Sequence, residues 1–296
     1  MAAGSNAFYS QQYASAVELL AQQLTPRVAS LFTPMTATGK SATVVNQIGA
    51  FEADERTGMY EPIVFGEPTH TRPWVYPRHF DKAIPFDSIE AMQMNANPSS
   101  EYVQGVVAAL NRKDDDEAIR AFFADRLMGE SAGTTDSFSS SFQVGVSIGG
   151  GTSGLNVEKV QSALEILRTV ELEDMEQLHC IISPKQERNL MNEIEVTSSD
   201  FTAKRIIDSG TMAGSGFMKV NWVISNRLLT DSNSYRRVPF FTSKGMTFCR
   251  WDGGPKTDVS QRKDLRGHPW QVYGQVHSGA VRRDANRVVE IKCYEA

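Results

Sequence analysis

Chemistry in this sequence has few places to reside. The first is Gly39-Lys40-Ser41, inside "TPMTATGKSATVV". A phosphate-binding loop reads G-x-x-x-x-G-K-S/T and needs a strand before it and a helix after it, so that backbone N–H groups and the lysine meet the phosphates. Here Pro34 stands where the first glycine belongs, and the permissive backbone of that turn is lost. A helical stripe precedes Gly39 and the strand-like "ATVVNQIG" follows it, which is the wrong order of elements. The second place is "IGGGTSGLNVEKV", with Gly149, Gly150, Gly151 and Gly154 between a strand and a helix. The order suits a phosphate, but the spacing is not G-x-G-x-x-G, and the acid at the expected distance, Asp174, lies in the polar "ELEDMEQ". "MAGSGF" misses the nucleophile elbow G-x-S-x-G because position 213 is Ala213. His179 and Cys180 are neighbours on a strand-like segment, so they point to opposite faces and form no dyad.

Metal binding fares no better. The five histidines, His70, His79, His179, His268 and His277, show no ligand spacing. Asp114, Asp115 and Asp116 are consecutive on a predicted helix, where neighbours diverge by about 100° and do not converge on one ion. Cys180, Cys249 and Cys293 make no C-x-x-C pair and read as reduced, buried thiols. No catalytic, cofactor-binding or metal residue is assigned, no cofactor is expected, and the chain does not read as an enzyme.

Composition narrows the classes further. The chain has 296 residues, a formal net charge of -5, 41% hydrophobic and 22% charged residues. That is an ordinary globular balance, long enough to bury a large core as one elaborated domain or two modest ones. A mildly acidic chain does not present a broad nucleic-acid-binding face. No apolar run of about 18 residues predicts a membrane helix, and "MAAGSNAFYSQQYA" has no basic or apolar signal region.

The elements follow from periodicity. Tyr13, Val17, Leu20, Leu24, Val28 and Leu31 predict a helix over 10–31, restarted at Thr25-Pro26, with Pro34 and Gly39 marking its exit. From Ala42 to about Ile89, β-branched and aromatic stretches flank a polar, Pro-rich middle, which predicts a long two-stranded excursion. A lone ribbon is marginal in water, so it should lie on something, and another copy of the chain is the obvious support. A helix of roughly 40 Å is predicted from Pro98 to Leu127, capped by Asn97 or Ser99. In its middle, "RKDDDE" predicts i,i+4 pairs, Arg112 with Asp116 and Lys113 with Glu117, on a solvated face. Beyond "GESAGTTDSFSSSF", a short strand is expected in "FQVGVSI", a helix capped by Asn156, a buried strand in "LHCIISP" and a short helix in "KQERNLMNEI". Further strands are expected in "FMKVNWVISN", "MTFCRW" and the C-terminal "WQVYGQVHSGAVRRDANRVVEIKCYEA", broken at "HSGAVRRDAN".

The ordered set "GLNVEKVQSALEIL", "HCIISPKQERNLM", "TSSDF" and "SGTMAGSGFMKVNWVISNRLL" resembles the central part of a tailed-bacteriophage major capsid protein of the Hong Kong 97 type. "VVAALNRKDDDEAIRAFFAD" is similar to that family's long spine helix, and the resemblance runs from roughly Ala42 to Leu229. It implies an α+β fold with an N-terminal arm (1–40), an extended E-loop β-hairpin (41–88) and a peripheral domain with the spine helix (89–145). A mixed α/β axial domain (146–262) and C-terminal strands returning to the peripheral domain (263–296) complete it. It implies a structural role: self-assembly as pentamers and hexamers into an icosahedral shell around double-stranded DNA, held without sequence specificity. Scaffolding and portal proteins, and a decoration protein, are the implied partners. No membrane is involved, and the location is the virion, after synthesis in the host cytoplasm. Asp54, Glu55, Arg56 and Glu61 are the candidate intersubunit charges, and Trp74 and Tyr76 the candidate anchors, because aromatics dominate interface energetics. Two alternatives stand beside this: an encapsulin-like compartment around a cargo enzyme, and a nucleotide-binding enzyme using Lys40 and Ser41.

Overall fold

The structure is a computed structural model that describes residues 20, 22–49, 52–53, 55, 58, 63, 65–86, 99–169, 177–193 and 210–295. In chain order, a 3-10 turn (Ala29–Leu31) leads to β1 (Thr33–Ala37), β2 (Ala42–Thr43), β3 (Gln47–Ile48), β4 (His70–Thr71), β5 (Trp74–Val75) and β6 (Arg78–Phe86). The long helix α1 (Ser99–Ala121) follows, then β7 (Arg126–Met128), β8 (Thr134–Asp136), β9 (Gln143–Val144), α2 (Val157–Thr169), β10 (Leu178–Ile182) and α3 (Pro184–Met191). The chain closes with β11 (Val220–Ile224), β12 (Arg236–Thr242), β13 (Met246–Gln261), β14 (Trp270–Arg282) and β15 (Val288–Cys293).

Four sheets result, in the orders β1-β13-β14-β6, β11-β10-β12-β15-β9, β2-β5-β7-β8 and β3-β4. In the five-stranded sheet, β10 pairs in parallel with β11 and antiparallel with β12. That central place suits "LHCII", whose residues after Leu178 are all buried and which offers no solvated face. The helices carry local signals for their ends. Asn156 Oδ1 accepts from the Lys159 amide at 2.8 Å and starts α2. Ser183 caps α3, with Pro184 in its first turn where a missing N–H costs nothing.

The chain divides into two compact units. The larger comprises Pro26–Arg78, Asp114–Gly253 and His277–Ala296. Its core joins Val160, Ala163, Leu164 and Leu167 of α2 to the five-stranded sheet. Phe122 lies 5.1 Å from Phe32 and 4.7 Å from Phe241, ring centre to ring centre, and ties the end of α1 to the segment before β1 and to β12. The smaller unit comprises Met1–Thr25, His79–Lys113 and Gly254–Val276. Its core is Phe86, Val106, Leu110, Val272 and Val276. Gly274 lets β14 come close to α1 there, since a Cβ at that position would sit 2.4 Å from Val106 Cγ1.

Several expectations change. The helix predicted over 10–31 is absent from its described part: residues 22–28 carry no helix, and only Ala29–Leu31 turns, as 3-10. Pro34 is not a helix exit but lies in β1, which runs parallel to β13 from Thr33–Thr247 to Ala37–Trp251. A proline fits there because β1 is an edge strand with one side unpaired. The long helix stops at Ala121 rather than Leu127, and Arg126–Met128 becomes strand. Asn97 lies outside the described residues, and Ser99 is already helical. "FQVGVSI" contributes only Gln143–Val144, and β14 runs through "HSGAVR" before breaking after Arg282.

Candidate functional site

The "DDDE" run on α1 is the largest correction. Asp114 is 0%, Asp115 1% and Glu117 3% exposed, so this is no solvated face. Each acid is spent on a different distant segment. Asp114 Oδ2 accepts from Arg250 Nη2 of β13 at 2.7 Å. Asp115 accepts the backbone N–H groups of Arg27, Val28 and Ala29 at 2.9, 3.0 and 3.0 Å. Asp116 takes a bidentate contact from Arg227, Nε and Nη2 both at 2.7 Å. Glu117 accepts from Arg78 Nη1 at 2.9 Å and from Arg120 Nε at 3.0 Å. Arg112, expected to pair with Asp116, donates instead to Gln22 Oε1 and to the Gln23 carbonyl.

The physical cause is that consecutive helix positions point to different sides. That divergence, which excludes a metal, lets one turn of helix clamp four partners. Burial pushes the Asp114 carboxyl up from its ordinary value, with the Ser278 hydroxyl and Arg250 pulling against it. Arg227 is raised by its hydrogen bonds to Asp116.

The sites tested for chemistry fall into place as structure. Lys40 is exposed, and after Ser41 comes β2 rather than a helix. The Gly149–Gly154 loop does lead into α2, but its interior is filled from its own chain. Asn156 Nδ2 donates to the Ile148 carbonyl, and Lys159 Nζ donates to the carbonyls of Ser153, Gly154 and Lys292. A Cβ on Gly149 would meet Asn156 Nδ2 at 1.9 Å. Burial lowers the Lys159 ammonium from its ordinary value. His179 is buried, contacts Asn221 Nδ2 through Nδ1 at 3.0 Å and stacks on Phe241. Burial holds it below the usual histidine value. Cys180, Cys249 and Cys293 are free and buried, and burial pushes Cys249 and Cys293 up to about 12. Among the described residues no group of three His, Cys, Asp or Glu could hold a metal ion.

What remains is the exposed excursion between β2 and β5. The predicted excursion has two described antiparallel legs, Ala42–Val75 and Thr43–Trp74, then Gln47–Thr71 and Ile48–His70. Between them, Ile63 is 80% and Phe65 88% exposed, and Ile48 is 62% exposed. Of the predicted contact residues, Glu55 and Tyr76 are exposed. Trp74 is partly buried and donates from Nε1 to the Gly129 carbonyl at 2.6 Å, which fixes the base of the excursion to the loop after β7. Asp54, Arg56 and Glu61 lie outside the described residues. Arg227, Arg250 and the amides of 27–29 escaped the sequence reading, because their acids lie 86 to 136 residues away.

Comparison with known proteins points one way. A family model described as phage capsid protein matches residues 5–295. The chain superposes on the capsid structure of Cyanophage P-SCSP1u with a TM-score of 0.74 at 12% identity, covering 100% of this chain and 96% of that one. It superposes on a Mycobacterium phage Che8 chain with a TM-score of 0.73 at 12% identity, covering 97% and 98%. For the capsid of Ralstonia phage GP4 the TM-score is 0.70 at 11% identity, covering 99% and 97%. No curated protein matches the chain in sequence. The mixed α/β architecture is that of the Hong Kong 97-type capsid, and the role is structural rather than enzymatic. With the match extending over nearly its whole length, the chain belongs to the phage capsid protein family.

Proposed function

We propose that this capsid protein is the major shell subunit of a tailed bacteriophage, assembling as pentamers and hexamers into an icosahedral shell around double-stranded DNA. One observation carries the reading beyond family membership. The excursion between β3 and β4 carries Ile63 and Phe65, which are 80% and 88% exposed. Large apolar side chains clustered on an exposed segment mark a contact surface. Neighbouring copies supply the cover. Tyr76 serves as an anchor and Glu55 as a rim charge, with Asp54, Arg56 and Glu61 as further rim charges. The arm, E-loop, peripheral and axial divisions at 1–40, 41–88, 89–145, 146–262 and 263–296 are proposed on the same resemblance. Scaffolding, portal and decoration proteins are the expected partners. A subunit of net charge -5 holds DNA loosely and without sequence preference.

Sedimentation and negative-stain microscopy of an Ile63→Ser, Phe65→Ser double variant test this. The variant is expected to stay soluble and folded yet fail to form shells under conditions where the parent forms them. Shells forming equally well would remove the excursion from the assembly surface.

A further inference from the structure

One cavity, of about 230 Å³, lies wholly within the larger unit. Four arginines line it, Arg78, Arg120, Arg126 and Arg282, against two carboxylates, Glu117 and Asp125. In a chain of net charge -5 that is a local reversal of sign.

The arginines differ in how far they are used up. Arg120 chelates Glu117, which also accepts from Arg78, and the side chains of Arg120 and Arg78 are 44% and 50% exposed. Arg126 binds Asp136 through Nε at 2.5 Å and the carbonyls of Arg282 and Arg283 through Nη1, both at 2.9 Å. Arg282 is 1% exposed. Its Nη1 donates to the carbonyls of Phe122 and Ala124 at 2.7 and 3.3 Å, while Nε and Nη2 have no partner. Its guanidinium carbon sits 5.1 Å from the Phe138 ring centre, which supports the cation without accepting those two N–H groups as an oxygen would.

A buried guanidinium with two unmet donors is costly, and here a second guanidinium, Arg126, adds repulsion. Burial and Arg126 lower Arg282 to about 10, with Asp136 and Asp125 acting the other way, so it keeps its charge at neutral pH. Four guanidiniums on one small cavity, with Arg282 hydrogen-bonded to backbone carbonyls and to no carboxylate, form a cationic lining that an oxyanion completes, the covered Nε and Nη2 of Arg282 becoming donors to it on a small side-chain shift. The volume admits a small anion or one acidic group.

We propose that the cavity lined by Arg78, Arg120, Arg126 and Arg282 is an oxyanion-binding site that takes one carboxylate or phosphate group. Phe122 and Ala124, which hold Arg282, follow directly on α1, so an anion seated here braces the end of that helix.

Inorganic phosphate and acetate, each titrated calorimetrically into the full chain against sodium chloride of equal ionic strength, test the site. Saturable binding at one site per chain is expected. Preference for phosphate would identify a free phosphate as the occupant class, and comparable binding of acetate would identify an acidic side chain. Arg120→Gln leaves Glu117 its contact with Arg78, and Arg282→Lys keeps the charge but loses the fork. Each is expected to weaken binding about tenfold or more, the scale of a charge-assisted hydrogen bond. If Arg282→Lys does not fold, Arg120→Gln carries the test. No saturable binding of either anion, or unchanged affinity in the variants, would overturn the assignment.

Discussion

Replacing Asp115 with asparagine tests whether the acidic turn of α1 holds the segment before β1 in place. Oδ1 accepts from Val28 and Ala29, and Oδ2 accepts from Arg27. Asparagine can keep its oxygen at the first position, where two charge-assisted bonds become neutral ones. Its amide then faces the Arg27 N–H donor to donor. Charged hydrogen bonds contribute about 1.5–3 kcal/mol and neutral ones about half as much, and a stranded buried donor costs about 1–3 kcal/mol. The expected loss is therefore about 2.5–6 kcal/mol. For a chain of this size that lowers Tm by roughly 5–12 °C. Hydrogen exchange supplies the local readout, because the amides of Arg27, Val28 and Ala29 should lose protection before the five-stranded sheet does. Asp116→Asn is the control. Its pair with Arg227 is about one-third exposed on both sides, so the loss should stay near 1 kcal/mol or below. An Asp115→Asn protein that melts with the parent and keeps amides 27–29 protected would show that Asp115 does not hold this segment.

Three further outcomes are expected. Gly279→Ala would place a Cβ 2.6 Å from the Tyr76 carbonyl and 3.0 Å from Val75 Cγ2. It should destabilise by about 1–3 kcal/mol in urea unfolding, whereas Gly133→Ala, with open space around it, should not. For the Glu295 carboxyl, burial acts upward, but hydrogen bonds from Arg236, Ser183 and Gln186 hold it below its ordinary 4.5. A carboxylate lowered in the folded state stabilises above its unfolded pKa, and that contribution fades as pH falls through the folded value. Glu295→Gln should flatten the stability–pH curve below 4.5, and an unchanged curve would contradict the sign. Lys159→Met leaves the carbonyls of Ser153, Gly154 and Lys292 without their common donor. It should lower stability by about 2–4 kcal/mol, measured by urea midpoint, because three charge-assisted hydrogen bonds are lost, although the Ser153 carbonyl keeps the Tyr294 amide.

How much of this was legible depends on how far each cause reaches along the chain. α2, β10 and α3 could be read because their apolar periods, the Asn156 cap and Pro184 act within a few residues. The two legs of the excursion were legible for the same reason, from β-branched stretches flanking prolines. The acidic turn is beyond the i,i+4 rule, which looks along one helix, while Asp114 and Asp116 find arginines more than a hundred residues away. Asp115 gave no sequence signal, since its partners are backbone amides. Pro34 and Gly39 punctuate the chain as a helix exit does, yet pairing with β13 decides the conformation of Thr33–Ala37. β13 itself runs through Gly253, Gly254 and Pro255, residues that read locally as a turn. The candidate contact residues belong to the excursion, and on the proposed reading their contacts are made between copies of the chain.

Cryo-electron microscopy of the expressed chain, alone and with a scaffolding protein, tests the central claim most directly. Closed icosahedral shells are expected, in which five-fold and six-fold clusters of this subunit are joined through the 41–88 excursion. A stable, monodisperse monomer under every assembly condition, scaffolding protein included, would contradict it.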